Sequence, residues 1–152
     1  MIAEHRLRDF IRESNHIEGI EREPRQFQID AATRFLKQAS VTVEMMEEAV
    51  ARFELGASLR DKAGMDVQVG KHVAPRGGPG IRTHLENLLT HMHKHAPYAV
   101  HCSFEALHPF SDGNGRSGRL LWLWMMYRRD GVIPPLGFLH TWYYQTLAAS
   151  HD

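Results

Sequence analysis

Apolar residues recur at helical spacing along most of the chain. Ile2, Leu7, Phe10, Ile11 and Ile17 fall on one face of a first amphipathic helix, and Gly19, able to take the left-handed turn, closes it. Pro24, a favourable first-turn residue, opens a second helix with Phe27, Ala31, Phe35 and Leu36 on its inner face. A third runs from about Val41 to Leu55 and stops at Gly56. Between Gly56 and Pro79 the helical period is lost. Met65 to Val73 alternates apolar and polar residues ahead of the Pro/Gly-rich stretch 74–80, which predicts a short hairpin or extended flap. Helical spacing resumes from Ile81 to about His95, then from Pro97 through Val100, Phe104 and Leu107. After a glycine-rich interruption from His108 to Gly115, the run Leu120 to Met126 is apolar on every side and predicts a central, buried helix. Asp130-Gly131 and Pro134-Pro135 end it, and Phe138 to about Ala149 forms a last helix. The pattern implies a mainly α fold, a compact helical bundle with a small β-hairpin flap.

Composition narrows the class. At 152 residues and 43% hydrophobic content the chain reads as a single domain, 1–152, large enough to bury roughly 70% of its unfolded surface. Eighteen basic residues balance eighteen acidic ones, which argues against a general nucleic-acid binder while leaving room for a local anion site. The single Cys102 excludes a disulfide within the monomer. Met1 to Arg12 carries no apolar targeting core, and no apolar run approaches 18 residues. The expectation is a reduced, cytoplasmic domain with no membrane partner.

The chemistry is concentrated in His108-Pro109-Phe110-Ser111-Asp112-Gly113-Asn114-Gly115-Arg116-Ser117-Gly118-Arg119, between one helix end and the start of the buried helix. Gly113 and Gly115 permit backbone N–H groups to converge, and the following helix N-terminus adds partial positive charge, so the loop suits phosphate. Arg116 and Arg119, three apart on the first turn, lie on the same side, toward one anion. Two arginines there oppose the helix dipole, a placement that a bound polyphosphate or carboxylate explains. Asp112 offers a hard oxygen for Mg²⁺. His108 is the group able to take a proton from a hydroxyl near neutral pH. The other histidines read more simply. His91, His93 and His95 fit a solvated helix end, and His101, two turns before His108, packs or hydrogen-bonds beneath the loop. Cys102 reads as a small buried residue, and Trp122 and Trp124 as core.

The segment resembles the Fic family motif H-P-F-x-D-G-N-G-R-x-x-R at every defined position, and similarity extends to Pro97–His108 and to Trp142-Tyr143-Tyr144. The resemblance implies a helical core with a flap beside the motif and, in most members, transfer of AMP from ATP to a Ser, Thr or Tyr hydroxyl of a protein. It implies His108 as general base and Phe110 as a buried anchor. Asp112 is the implied Mg²⁺ ligand, and Gly113, Asn114 and Gly115 line the phosphate nest. Arg116 and Arg119 contact the outer phosphates. Gly115 stands where kinase-like Doc members carry Lys, which favours AMP over phosphate transfer. The implied partners are ATP and a target protein or the chain itself. The flap registers a target strand, and Tyr143 or Tyr144 borders the adenine. Alternatives are removal of AMP, transfer of UMP or phosphocholine, or a nucleotide-binding regulatory module. Homodimerisation is left open.

Ser14-Asn15-His16-Ile17-Glu18-Gly19, on spacing alone, is a helix end with a solvated carboxylate. It also resembles the Fic inhibitory motif (S/T)-x-x-x-E-(G/N). That resemblance implies an inhibitory helix over about 1–19, with Ser14 and Glu18 on one face and Glu18 paired to Arg119 in place of a phosphate.

Overall fold

Leu120, Leu121 and Leu123 are almost wholly buried because their helix is enclosed by four others. The computed structural model describes residues 1–134; the expected helix 138–149, with Trp142, Tyr143 and Tyr144, lies outside the described residues. Six α-helices are present among the described residues: α1 (Glu4–Ile17), α2 (Gln26–Lys37), α3 (Val43–Phe53), α4 (Pro79–His91), α5 (Pro97–Leu107) and α6 (Asn114–Asp130). A short 3₁₀ turn, Met92–Lys94, links α4 to α5. Helix α6 packs against α1, α2, α3 and α5, which is the outcome expected for a helix without a polar stripe. The fold is mainly α, as the periodicity implied.

The helix ends follow from local chemistry. Gly19 is left-handed (φ +78°) after α1, and the Thr42 hydroxyl caps α3 by accepting from the Met45 N–H at 3.2 Å. That cap starts α3 two residues later than Val41, and the helix ends at Phe53, leaving Leu55 exposed.

Two burial expectations are corrected. Phe27 is 47% exposed: the buried stripe of α2 is centred on Gln28, Ala32, Phe35 and Leu36, which puts Phe27 behind its edge in the first turn. Cys102 is only partly buried, its neighbours Val100, His101 and Phe104 taking the inner face of α5. The two tryptophans divide. Trp124 is buried, its indole N–H donating to Gln38 O at 3.0 Å, while Trp122 is half-buried and stacks on Phe10 with ring centroids 6.1 Å apart.

The extended part is small. Strands β1 (Gln68–Val69) and β2 (His72–Val73) form an antiparallel hairpin, Gln68 opposite Val73 and Val69 opposite His72, turning at Gly70 (φ +59°). Ahead of it, Leu59 makes an antiparallel bridge to Phe110, framed by bonds from Arg60 N–H to Pro109 O and from Ser111 N–H to Ser58 O, each 2.8 Å. The segment leading into the flap is thereby sewn to the α5–α6 loop.

Candidate active site

The loop between α5 and α6 begins with a reversal of the chain. His108, the residue after α5, is left-handed (φ 50°, ψ 60°), and its N–H donates to Phe104 O at 2.9 Å. Burial pushes its imidazole below the ordinary histidine value, and the Arg60 charge pushes the same way, followed by His72. A bond to the backbone of Glu105 and the carboxylate of Asp112 oppose them. The net effect favours the neutral ring, the form able to accept a proton.

Phe110 is fully buried, its ring tilted against Phe104 with centroids 6.4 Å apart. Asn114 holds it from the other side: Oδ1 accepts the Phe110 N–H at 2.9 Å, and Nδ2 donates to Phe110 O at 2.8 Å. The Asn114 side chain is therefore consumed in fixing the loop, leaving its backbone for any outward contact. Asp112 is exposed, with Oδ1 accepting the Gly113 N–H at 2.7 Å. Gly113 is left-handed (φ +73°) and tightly packed; a Cβ there would stand 2.9 Å from Val50 Cγ2. The α6 N-terminus thus opens on a backbone turn that a side chain would block.

The two arginines do not converge. Arg116 turns to the C-terminal end of α3, donating to Phe53 O at 2.6 Å and to Glu54 Oε2 at 2.5 Å. The carbonyl end of α3 is a favourable place for that cation. Arg119, 2% exposed, turns to α1, donating to Ser14 Oγ (2.7 Å), Ser14 O (2.9 Å) and Glu18 Oε1 (2.7 Å). Glu18 remains 38% exposed at its side chain, so one partner of the pair is fixed and the other lies at the surface. Gly115 sits beneath this contact, a Cβ on it falling 3.0 Å from Arg119 Nη1.

Below the loop lies a buried polar layer that the sequence left nearly unread. His101 is 1% exposed, bonded through Nδ1 to Gly118 O at 3.0 Å, and burial pushes it down to about 4. Its Nε2 stands 3.9 Å from Glu105 Oε1, and burial pushes Glu105 up to about 8. Both groups are thus held neutral at pH 7. Arg60, wholly buried and bonded only to backbone carbonyls through its side chain, was also not singled out.

The model of the Fic/DOC family matches residues 42–126, more than half of the chain. The chain belongs to the Fic/DOC family. The match runs from the Thr42 cap of α3 into α6 and takes in the flap and the whole 108–119 segment; α1, with Ser14 in its last turn and Glu18 directly after it, precedes the matched residues. A comparison with curated proteins found no match. Membership in the Fic/DOC family supports a Fic-type transferase function. His91, in the last turn of α4, has Nδ1 2.9 Å from Asn87 O. No helix of the described residues is long and apolar enough to cross a membrane.

Proposed function

We propose that this Fic domain transfers AMP from ATP to a hydroxyl of a protein, and that α1 restrains it through Glu18. The observation that carries the reading is the packing at Gly115, where Glu18 Oε1 and Arg119 Nη1 already stand against the missing Cβ. A lysine of the kinase-like type has no room there while this contact holds.

In this reading His108 accepts the proton of the target hydroxyl, and its depressed basicity keeps it ready at neutral pH. The hydroxyl oxygen forms a bond to the α-phosphorus of ATP, the bond to the bridging oxygen breaks, and pyrophosphate leaves. Asn114 and Gly115 present backbone N–H groups at the start of α6 to the phosphates, and Gly113, whose N–H is held by Asp112 Oδ1, shapes the turn ahead of them. Arg119 contacts the outer phosphates after exchanging Glu18 for a phosphate oxygen, and Arg116 joins it only after giving up its pair with Glu54. The exposed carboxylate of Asp112 fits Mg²⁺, which takes one or two protein oxygens and fills its other positions from phosphate and water. Magnesium bound there would neutralise phosphate charge.

Glu18→Gly is to be incubated with lysate and ATP labelled separately on the α- and γ-phosphates. Protein-bound α-label is expected. Label from the γ-position alone indicates a kinase, and no label in either sample leaves a binding module.

A further inference from the structure

Arg60 distributes its side chain over four carbonyls from two separate parts of the chain. Nε donates to His108 O at 2.6 Å and Nη2 to Leu107 O at 3.0 Å. Nη1 donates to Met65 O at 2.7 Å, and Nη2 also to Pro75 O at 3.0 Å. Its backbone extends the connection, the N–H donating to Pro109 O at 2.8 Å and the carbonyl accepting the Gly78 N–H at 2.9 Å. Met65 and Pro75 bracket the flap hairpin; Leu107, His108 and Pro109 form the turn that carries the imidazole. One guanidinium therefore fixes both ends of the flap against the backbone of His108.

Its burial sharpens the point. A fully buried guanidinium is costly unless its donors are satisfied, and burial lowers the basicity of Arg60 in keeping with that cost. Asp66 is the carboxylate whose charge acts on it, while Asp66 Oδ1 itself accepts the Gly77 N–H at 2.9 Å. Lysine, with three donors on a single atom, cannot span carbonyls spread this widely. The planar fork can. Capping the last carbonyls of α5 alone would not require a residue that also holds Met65 and Pro75.

We infer that Arg60 is a positioning residue for transfer: it sets the flap, and with it the docked target hydroxyl, at a fixed distance from His108. This rests on the function proposed above. Arg60 also contributes a positive charge next to His108. The other groups acting on that ring are His72 from β2, Asp112 from the loop and the backbone of Glu105.

The test compares Arg60→Met and Arg60→Lys in the full chain carrying Glu18→Gly. Three quantities are read: the His108 imidazole titration by NMR, assigned with His108→Ala; amide exchange at Gly78; and self-modification by α-labelled ATP beside Mg-ATP binding by calorimetry. Arg60→Met should raise the His108 midpoint, speed Gly78 exchange and reduce labelling by about 100-fold at unchanged ATP affinity, the scale of an ångström-sized misplacement. Arg60→Lys keeps the charge, so the His108 midpoint should stay near the parent value while Gly78 exchange still accelerates. An unmoved titration and unmoved exchange in folded Arg60→Met would overturn the inference, as would equal losses of ATP affinity and labelling. Where Arg60→Met fails to fold, Arg60→Lys decides, since Gly78 exchange equal to the parent overturns the inference and faster exchange upholds it. An unlabelled Glu18→Gly parent would refute AMP transfer itself, whereas titration and exchange would still report whether Arg60 holds the flap to His108.

Discussion

Oε1 of Glu18 occupies the space that a Cβ on Gly115 would need. The same oxygen accepts from Arg119 at 2.7 Å, so the carboxylate that follows α1 closes over the start of α6 and the arginine beside it at once.

Glu18→Gly removes that closure without removing the other attachments of Arg119, because Ser14 still accepts through Oγ and its carbonyl. Self-modification with α-labelled ATP should rise by about 10- to 100-fold, corresponding to one charge-assisted bond of about 1.5–3 kcal/mol. Glu18→Gly combined with Arg119→Ala should lose the gain. A gel showing equal label in wild type and Glu18→Gly would rule out restraint by α1.

His108→Ala should lower transfer by about 10²- to 10⁴-fold while leaving Mg-ATP binding within a few-fold of wild type. The pH profile carries a sign. Burial and Arg60 depress the imidazole, so the neutral base persists to lower pH than in a solvated histidine. In Glu18→Gly the rate should therefore hold as pH falls through 6.5 and drop only below it. An acid limb centred above 6.5 would contradict a buried, cation-flanked base.

Glu105 sets an alkaline liability. Its folded value is raised to about 8 from 4.5, so between those values the unfolded chain has released a proton that the folded chain retains, and stability declines as pH rises through that window. Glu105→Gln removes the titration. Urea midpoints should favour the variant at pH 8 relative to wild type, with the difference shrinking toward pH 4.5. His101, lowered to about 4, acts at the other end: its contribution falls as pH drops from 6.5 toward 4. A difference between wild type and Glu105→Gln that is constant across pH would show that Glu105 is ionised in the fold.

Gly118→Ala runs against helix propensity. In an open helix interior the change gains up to about 1 kcal/mol. Here a Cβ would stand 2.5 Å from Glu105 Oε1 and 2.9 Å from the Phe104 ring, both on α5. A net destabilisation of about 1–3 kcal/mol is expected from overpacking, measurable as a lower urea midpoint. Gly131→Ala provides a contrast, since nothing crowds that position and only its left-handed backbone resists the change.

Much of this was written locally. Each described helix is legible in its apolar spacing, α3 also in its Thr42 cap and α1 and α6 in the glycines that follow them, and the hairpin in the alternation over 65–73. The residues of the 108–119 loop were named from one contiguous segment for the same reason. What escaped depends on partners far along the chain. Arg60 acquires meaning from carbonyls at Met65, Pro75, Leu107 and His108, and a carbonyl has no residue identity to read. Arg116 was expected to share an anion with Arg119. In this structure it pairs with Glu54, sixty-two positions earlier, because α3 ends beside the first turn of α6. Asn114 has the composition of a phosphate loop yet spends its amide on Phe110. Phe27 shows the same limit on a surface: the helix was legible, but its rotation about its axis was fixed by neighbouring helices.

The left-handed backbone of His108 has an evolutionary reading. A turn closing α5 at positive φ is the place where glycine costs least, and a side chain there carries roughly 1–2 kcal/mol of steric penalty. Among the described residues no other non-glycine adopts positive φ. Selection for folding alone would drift this position toward glycine. On the role proposed for His108, retaining an imidazole sets catalysis and thermodynamic fitness in opposition at a single codon, so relatives that have lost transfer should regain stability first by losing this histidine.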